Sequence, residues 1–267
     1  MECGFVTLLQ LAVLALVQGL TEFLPISSSG HLILTSQVLE WPDQGLETDI
    51  AVHFGTLLAV IVYFWRDIIR ILRGLTESGT ASTRPLAAMI ILATIPVGIA
   101  GFALHMIGQD QLRDPAVIAW ATLSFGLLLW MSDRFGMTLR RMEHMSWGSA
   151  IVIGLAQVLA LIPGTSRSGI TMTAARFMGF EREAAARFSM LLSIPVIAAA
   201  ALLAGLDVYE SGNTALTQST LIAAGMAFVS ALVAIWVLMA WLRRSTFTPF
   251  VVYRLALGVV LLAWIYL

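Results

Sequence analysis

Hydrophobic residues run along this chain in long blocks rather than in amphipathic stripes. Six uninterrupted apolar stretches, about 50–66, 85–107, 115–133, 184–206, 216–242 and 249–267, approach or reach the ~20 residues with which an α-helix crosses a bilayer. Two further apolar stretches, 4–39 and 147–180, are each broken near the middle by a small polar cluster. The first break reads Leu24-Pro25-Ile26-Ser27-Ser28-Ser29-Gly30-His31 and the second Pro163-Gly164-Thr165-Ser166-Arg167-Ser168-Gly169. Irregular backbone at membrane depth is tolerated only where it is buried in protein or lines a cavity. Each broken stretch therefore predicts a re-entrant helix–loop–helix hairpin rather than a straight span.

Composition agrees. Of 267 residues, 59% are hydrophobic and 12% charged, with a mean hydropathy of +0.89, against about 25% charged in a soluble domain. Two soluble domains are excluded for want of polar surface, and a β-barrel would need more polar, alternating strands. The expectation is an all-α polytopic membrane protein forming a single domain over 1–267. A net charge of −1 excludes a nucleic-acid surface, and the single cysteine, Cys3, excludes an intramolecular disulfide. Glu2 stands where a secretory signal would carry a cation, so residues 1–24 are read as part of the fold.

Charge placement supports the layout. If hairpins return to the side they enter from, loops 66–84, 134–146, 176–187 and 243–248 share one face. That face holds Arg66, Arg70, Arg73, Arg84, Arg134, Arg140, Arg141, Arg176, Arg182, Arg187, Arg243 and Arg244. Residues 1–2, 40–49, 108–114 and 207–215 share the other, with Arg113 as their lone arginine among acids such as Asp43, Glu47, Asp49 and Glu210. The arginine-rich face is cytoplasmic by the positive-inside rule. An ungapped offset of 139 aligns Gln18, Leu20, Ser27, Ser29 and Gly30 with Gln157, Leu159, Ser166, Ser168 and Gly169. Each half, 1–134 and 147–267, is then one hairpin plus three spans. Three is odd, so the halves form an inverted-topology repeat, an arrangement that places binding sites at the midplane.

The breaks hold the candidate chemistry. Gln18 and Glu22, four residues apart, share a helix face leading to the first break, and an ionisable residue inside a membrane segment is costly. Ser27, Ser28, Ser29 and Gly30 open a helix whose amides and dipole favour an anion. Ser28 with His31 and Glu22 supplies a nucleophile and a base. In the second break Arg167 is expected to pair with Glu22 or with a ligand phosphate. Ser166, Ser168, Thr165 and Thr171 surround it, and Gly164 and Gly169 permit close backbone approach. The combined set suits a phosphate ester or anhydride.

Other residues read as structural. His53, His105 and His144 share no ligand spacing, and Arg254 is expected to snorkel from the last span. Pro96 and Pro195 are expected to kink spans, with hydroxyl neighbours that could line a cavity. Trp41, Trp65, Trp147 and Trp241 fall near span ends as interfacial anchors. Glu22 and Arg167 are then the two charges left at depth.

The segments Gln18-Gly19-Leu20-Thr21-Glu22-Phe23-Leu24-Pro25-Ile26-Ser27-Ser28-Ser29-Gly30-His31-Leu32 and Pro163-Gly164-Thr165-Ser166-Arg167-Ser168-Gly169-Ile170-Thr171 resemble the membrane-integral undecaprenyl-pyrophosphate phosphatase family of bacteria, the bacitracin-resistance type. The resemblance runs over nearly the whole chain, through Tyr63-Phe64-Trp65-Arg66 and the closing Pro249, Phe250, Tyr253 and Arg254. Gln18 is the amide version of a position that is Glu or Gln in the family, which leaves the acidic chemistry to Glu22. The resemblance implies hydrolysis of a C55 polyprenyl diphosphate to the monophosphate and inorganic phosphate. That reaction recycles the lipid carrier for peptidoglycan and confers bacitracin resistance. It also implies a bacterial inner-membrane location, with the site opening to the periplasm.

On this reading Arg167 and the two helix N-termini bind the diphosphate, and Ser28 attacks with His31 taking its proton. Glu22 either orients His31 or, with Gln18 in support, binds a divalent cation (magnesium or calcium) bridging the phosphates. No organic cofactor is expected. In a second version His31 or Glu22 activates water directly. The sequence is compatible with a homodimer. The rival class is a transporter or flippase for the polyprenyl phosphate, which would share the inverted repeat and anion site but has no need of a nucleophile and base.

Overall fold

The computed structural model describes residues 8–41, 46–76, 84–108, 112, 114–210 and 218–267. Cys3, Asp43 and Arg113 lie outside the described residues, as do the side chains of Glu47, Arg84 and Glu210. In chain order the helices are α1 (Leu8–Thr21), α2 (Ser28–Val38), α3 (Leu46–Tyr63), α4 (Trp65–Thr76), α5 (Arg84–Ile107), α6 (Pro115–Phe135), α7 (Trp147–Val158), α8 (Arg167–Phe177), α9 (Arg182–Glu210), α10 (Gln218–Leu242) and α11 (Thr248–Tyr266). The other regular structure among the described residues consists of short 3-10 turns and one isolated bridge between Arg140 and Phe180.

Helices α5, α6, α9, α10 and α11 are each long and apolar enough to cross a membrane, and α3 with α4 makes a sixth candidate bent by 72°. Segment 66–84, expected as a loop, therefore begins with a helix. Its sequence explains the bend. Arg66, Arg70 and Arg73 are exposed, while Ile68 and Ile71 pack against the core. Such an amphipathic helix is suited to lying in a membrane interface. Large apolar side chains on the bundle's outside, including Ile99, Trp236 and Val260, are exposed, as lipid-facing positions are. Trp65, Trp147 and Trp241 are also exposed, each at a helix end.

The two broken stretches are helix–break–helix units, α1–α2 and α7–α8. Helix α1 packs on α10 and α7 on α5, while α3 packs on α9 and α6 on α11. Helix α8 is the most enclosed, with residues 168–176 all buried. Its polar side chains survive there by bonding locally: Thr171 Oγ1 donates to Arg167 O at 2.9 Å and Thr173 Oγ1 to Gly169 O at 2.7 Å. Phe23, Met172, Phe180, Phe188 and Met190 fill the core around α8 and α9. Pro96 and Pro195 lie inside α5 and α9. The adjacent hydroxyls of Thr94 and Ser193 bond their own helix, to Ile90 O and Met190 O.

Ion pairs respect the grouping of loops. Asp67–Arg187, Arg141–Glu181, Arg243–Glu183 and Asp133–Arg182 all join segments at the arginine-rich end. His105–Asp207 joins the opposite ends of α5 and α9. Two arginines depart from expectation. Arg176, read as a loop residue, is fully buried at the end of α8 against Asp133. Arg254, read as snorkelling, is also fully buried.

Candidate active site

Ser27 and Ser166 cap α2 and α8 in the same way. Ser27 Oγ accepts from Gly30 N at 3.4 Å and Ser166 Oγ from Gly169 N at 3.1 Å. Both serines adopt left-handed backbone, with φ of 74° and 72°, a strained conformation for a side-chain-bearing residue that is found mostly at functional sites. The next two amides of each helix, those of Ser28 and Ser29 and of Arg167 and Ser168, find no protein acceptor among the described residues. Two helix N-termini thus offer donors to an anion.

Glu22 lies in the first break and is buried. Its Oε2 accepts from Ser28 Oγ at 2.6 Å and from Gln18 Nε2 at 3.0 Å. Its Oε1 accepts from Arg167 Nη2 at 3.0 Å. Arg167 also donates Nη1 to Ser189 O at 3.1 Å and lies over the Phe23 ring at 5.8 Å. Three of its five N–H groups remain for a phosphate. Ser28 and Arg167, equivalent under the 139-residue offset, therefore meet on one carboxylate. Ser28 is half-buried and free of capping duty, unlike Ser27.

His31 is turned elsewhere. Its Nδ1 bonds Ser27 O at 2.6 Å, which fixes the proton on Nδ1 and leaves Nε2 as an acceptor. Tyr253 OH donates to that Nε2 at 2.5 Å, with the two rings within 13° of parallel. The proton acceptor at the Ser28 hydroxyl is thus Glu22, with His31 one turn further along α2.

Further contacts lock the two breaks together. Ser168 Oγ donates to Leu24 O at 2.9 Å and contacts Ser166 Oγ at 3.1 Å. Thr171 Oγ1 contacts Ser189 Oγ at 2.7 Å. Gly164 has φ of 91°, and a Cβ there would sit 2.5 Å from Ile118 O, so only glycine fits. Ser29 is exposed, 3.5 Å from Ser27 Oγ, and Thr165 Oγ1 is buried without a partner.

Arg254 is the residue that hydropathy conceals. Its Nη1 donates to Pro25 O at 3.3 Å, Nη2 to Gly164 O at 3.0 Å and Nε to Thr122 O at 3.2 Å. One guanidinium therefore spans both breaks. Its depth was the available signal: six residues into α11 is about 9 Å along the axis. Tyr253 is marked in the sequence only by the family resemblance of the closing stretch and Ser189 not at all, because each acts through a partner distant in sequence. Of the remaining histidines, His53 bonds Asp49 O through Nδ1 and lies near enough to Glu22 to act on it electrostatically, whereas His105 pairs with Asp207 and His144 caps a 3-10 turn.

A divalent cation finds a small but usable donor set here. Among the described residues no three His, Cys, Asp or Glu side chains gather as a protein-only site. Oε1 of Gln18 is nevertheless buried without a partner, on the same amide carbon as the Nε2 that donates to Glu22. A carboxylate and an amide oxygen fit a hard cation that takes most of its ligands from substrate phosphates.

Comparison with known proteins gives the family of the chain. The chain is 50% identical over 274 residues to undecaprenyl-diphosphatase 1 of Rhodospirillum rubrum, covering 97% of this chain and 96% of that protein. It is 48% identical to the undecaprenyl-diphosphatase of Roseobacter denitrificans and 50% identical to that of Hahella chejuensis, each match covering 97% of this chain and 99% of the relative. A family model described as bacitracin resistance protein BacA matches residues 11–260. With both breaks and nearly the full length inside these matches, the chain belongs to the BacA bacitracin resistance family.

Proposed function

We propose that this protein is an undecaprenyl-diphosphate phosphatase, releasing undecaprenyl phosphate and inorganic phosphate and so recycling the lipid carrier of peptidoglycan synthesis. The observation that carries the reading is the Glu22 carboxylate holding Ser28 on one oxygen and Arg167 on the other. A hydroxyl on a base beside a guanidinium and two helix N-termini is a phosphoryl-transfer constellation. A carrier has no use for the first pair.

Arg167 and the free amides of α2 and α8 bind the terminal phosphate. Ser28 Oγ passes its proton to Glu22 and attacks phosphorus, and the anhydride P–O bond breaks to release undecaprenyl phosphate. Water then displaces the Tyr253 hydroxyl at Nε2 of His31, gives its proton there and attacks the phosphoserine, while Glu22 returns its proton to the departing Ser28 oxygen. Tyr253 and Ser27 O hold His31 in the tautomer this requires. Glu22 and Gln18 Oε1 would hold a divalent cation, which would neutralise charge on the diphosphate.

The same reading takes the chain as two inverted halves in the bacterial inner membrane, with the site open to the periplasm. The matched caps at Ser27 and Ser166, and the exchange of α1–α10 for α7–α5, support the repeat. The confinement of ion pairs to one loop group or the other supports the sidedness. Purified protein should release phosphate from undecaprenyl diphosphate, and the Arg167→Ala variant about 10²–10³ times less efficiently. Translocation of undecaprenyl phosphate across vesicles without hydrolysis would favour a carrier instead.

A further inference from the structure

At the arginine-rich end, away from the catalytic residues, a cavity of about 280 Å3 opens between the end of α6, the start of α9 and the segment leading into α11. Arg176 lines it from the C-terminal end of α8, nine residues and so about 14 Å from Arg167 at the N-terminal end. The two sites share a helix but no side chain.

The cavity is cationic for a specific reason. Its one carboxylate, Asp133, is fully committed: Oδ1 accepts from Arg182 Nε at 2.6 Å and forms an ion pair with Arg176, whose Nε lies 3.3 Å away, and Oδ2 accepts from Phe247 N at 3.0 Å. Arg176 is committed too, its terminal nitrogens donating to Met137, Phe180, Asp133 and Gly136 carbonyls. Two arginines are not. Arg182 uses only Nε, and Arg134 has no acceptor among the described residues. Both line the cavity, whose wall also carries the Thr138, Thr246 and Thr248 side chains.

We propose that this cavity is a second anion site, binding a phosphate group through the free N–H forks of Arg134 and Arg182. Guanidinium forks match phosphate oxygens bidentately, and with Asp133 neutralised the local charge favours an anion. The volume falls below the ~300–1,000 Å3 of sites for drug-sized ligands, which suits a phosphate with a short ester better than a nucleotide. Trp130, half exposed, is among the lining residues, so an apolar tail on the phosphate has a ring to lie against. The chemistry fits the headgroup of an anionic lipid or free inorganic phosphate.

Two arms separate these sources. In nanodiscs, native mass spectrometry reads retention of phosphatidylglycerol against phosphatidylcholine; in detergent, thermal shift reads stabilisation by inorganic phosphate. Wild type and Arg244→Gln, an exposed arginine outside the cavity, serve as references. Arg134→Gln removes an exposed side chain without a protein partner, so its phosphatase kcat should equal wild type and certify the fold. Arg134→Gln and Arg182→Gln should each weaken anion binding roughly fivefold, with Arg244→Gln unaffected. Loss in the lipid arm identifies a headgroup site, and loss in the phosphate arm a soluble-anion site. Unchanged binding in both arms for both variants overturns the proposal.

Discussion

Glu22 and Arg167, separated by 145 residues in sequence, pair at 3.0 Å where the two helix breaks meet. Both are nearly enclosed, with 7% and 12% of their side chains exposed, so each is the other's main compensation for burial. The other oxygen of Glu22 holds Ser28. A single carboxylate thus ties the nucleophile of one half to the cation of the other.

Removing Arg167 should therefore act on both chemistry and fold. Arg167→Ala should lower kcat/KM by about 10²–10³, the range for a lost transition-state donor. Arg167→Lys should rescue stability better than activity, because an ammonium cannot hold Glu22, Ser189 O and a phosphate in one plane. Steady-state kinetics beside thermal unfolding of the three proteins checks this.

Glu22→Gln should lower kcat by about 10²–10⁴, as loss of a general base does. It should also destabilise the protein, since breaking a buried pair from one side costs about 3–5 kcal/mol. Pairing it with Arg167→Met should recover part of the stability and none of the activity.

Arg254→Met should lower Tm and kcat together. The change orphans the Pro25 carbonyl, worth about 1–3 kcal/mol when buried and unpaired, and takes one donor each from Gly164 O, which keeps Thr122 Oγ1, and from Thr122 O, which lies within α6. Because the guanidinium spans both breaks, Arg254→Lys should restore only part of either quantity. A variant with wild-type Tm and kcat would remove Arg254 from the account.

Tyr253→Phe should leave the fold intact and reduce kcat several-fold with little change in KM. The substitution removes only the hydroxyl that holds Nε2 of His31. A change confined to KM would move Tyr253 from positioning His31 to binding substrate.

Gln18→Glu should sharpen metal dependence. Gln18 Nε2 now donates to Glu22 at 3.0 Å, and two carboxylates at that separation cannot both ionise without a cation between them. Activity of the variant should fall more steeply than wild type on chelation and recover with magnesium.

The breaks were legible because proline, serines and glycines interrupt otherwise apolar runs, and backbone exposed at depth demands such residues. The pairing of Glu22 with Arg167 followed from the cost of leaving either charge alone. Arg254 and Arg176 were missed because hydropathy assigns a charge near a span end to the nearest loop. Arg254 is compensated by carbonyls of other segments and Arg176 by the Asp133 carboxylate on α6, partners that no linear pattern reveals. The α4 helix was missed because its apolar and charged faces average out over a window. The partner of the Ser28 hydroxyl depended on which way His31 turns, and Tyr253, 222 residues away, decides that.

The central claim is that phosphoryl transfer passes through Ser28, activated by Glu22 and held by Arg167. Acid quenching during turnover of undecaprenyl diphosphate labelled on its terminal phosphate tests it most directly. The account predicts label on Ser28, absent from Ser28→Ala, whose kcat should fall at least about 100-fold. An unlabelled enzyme whose Ser28→Ala variant retains most of its kcat would contradict it.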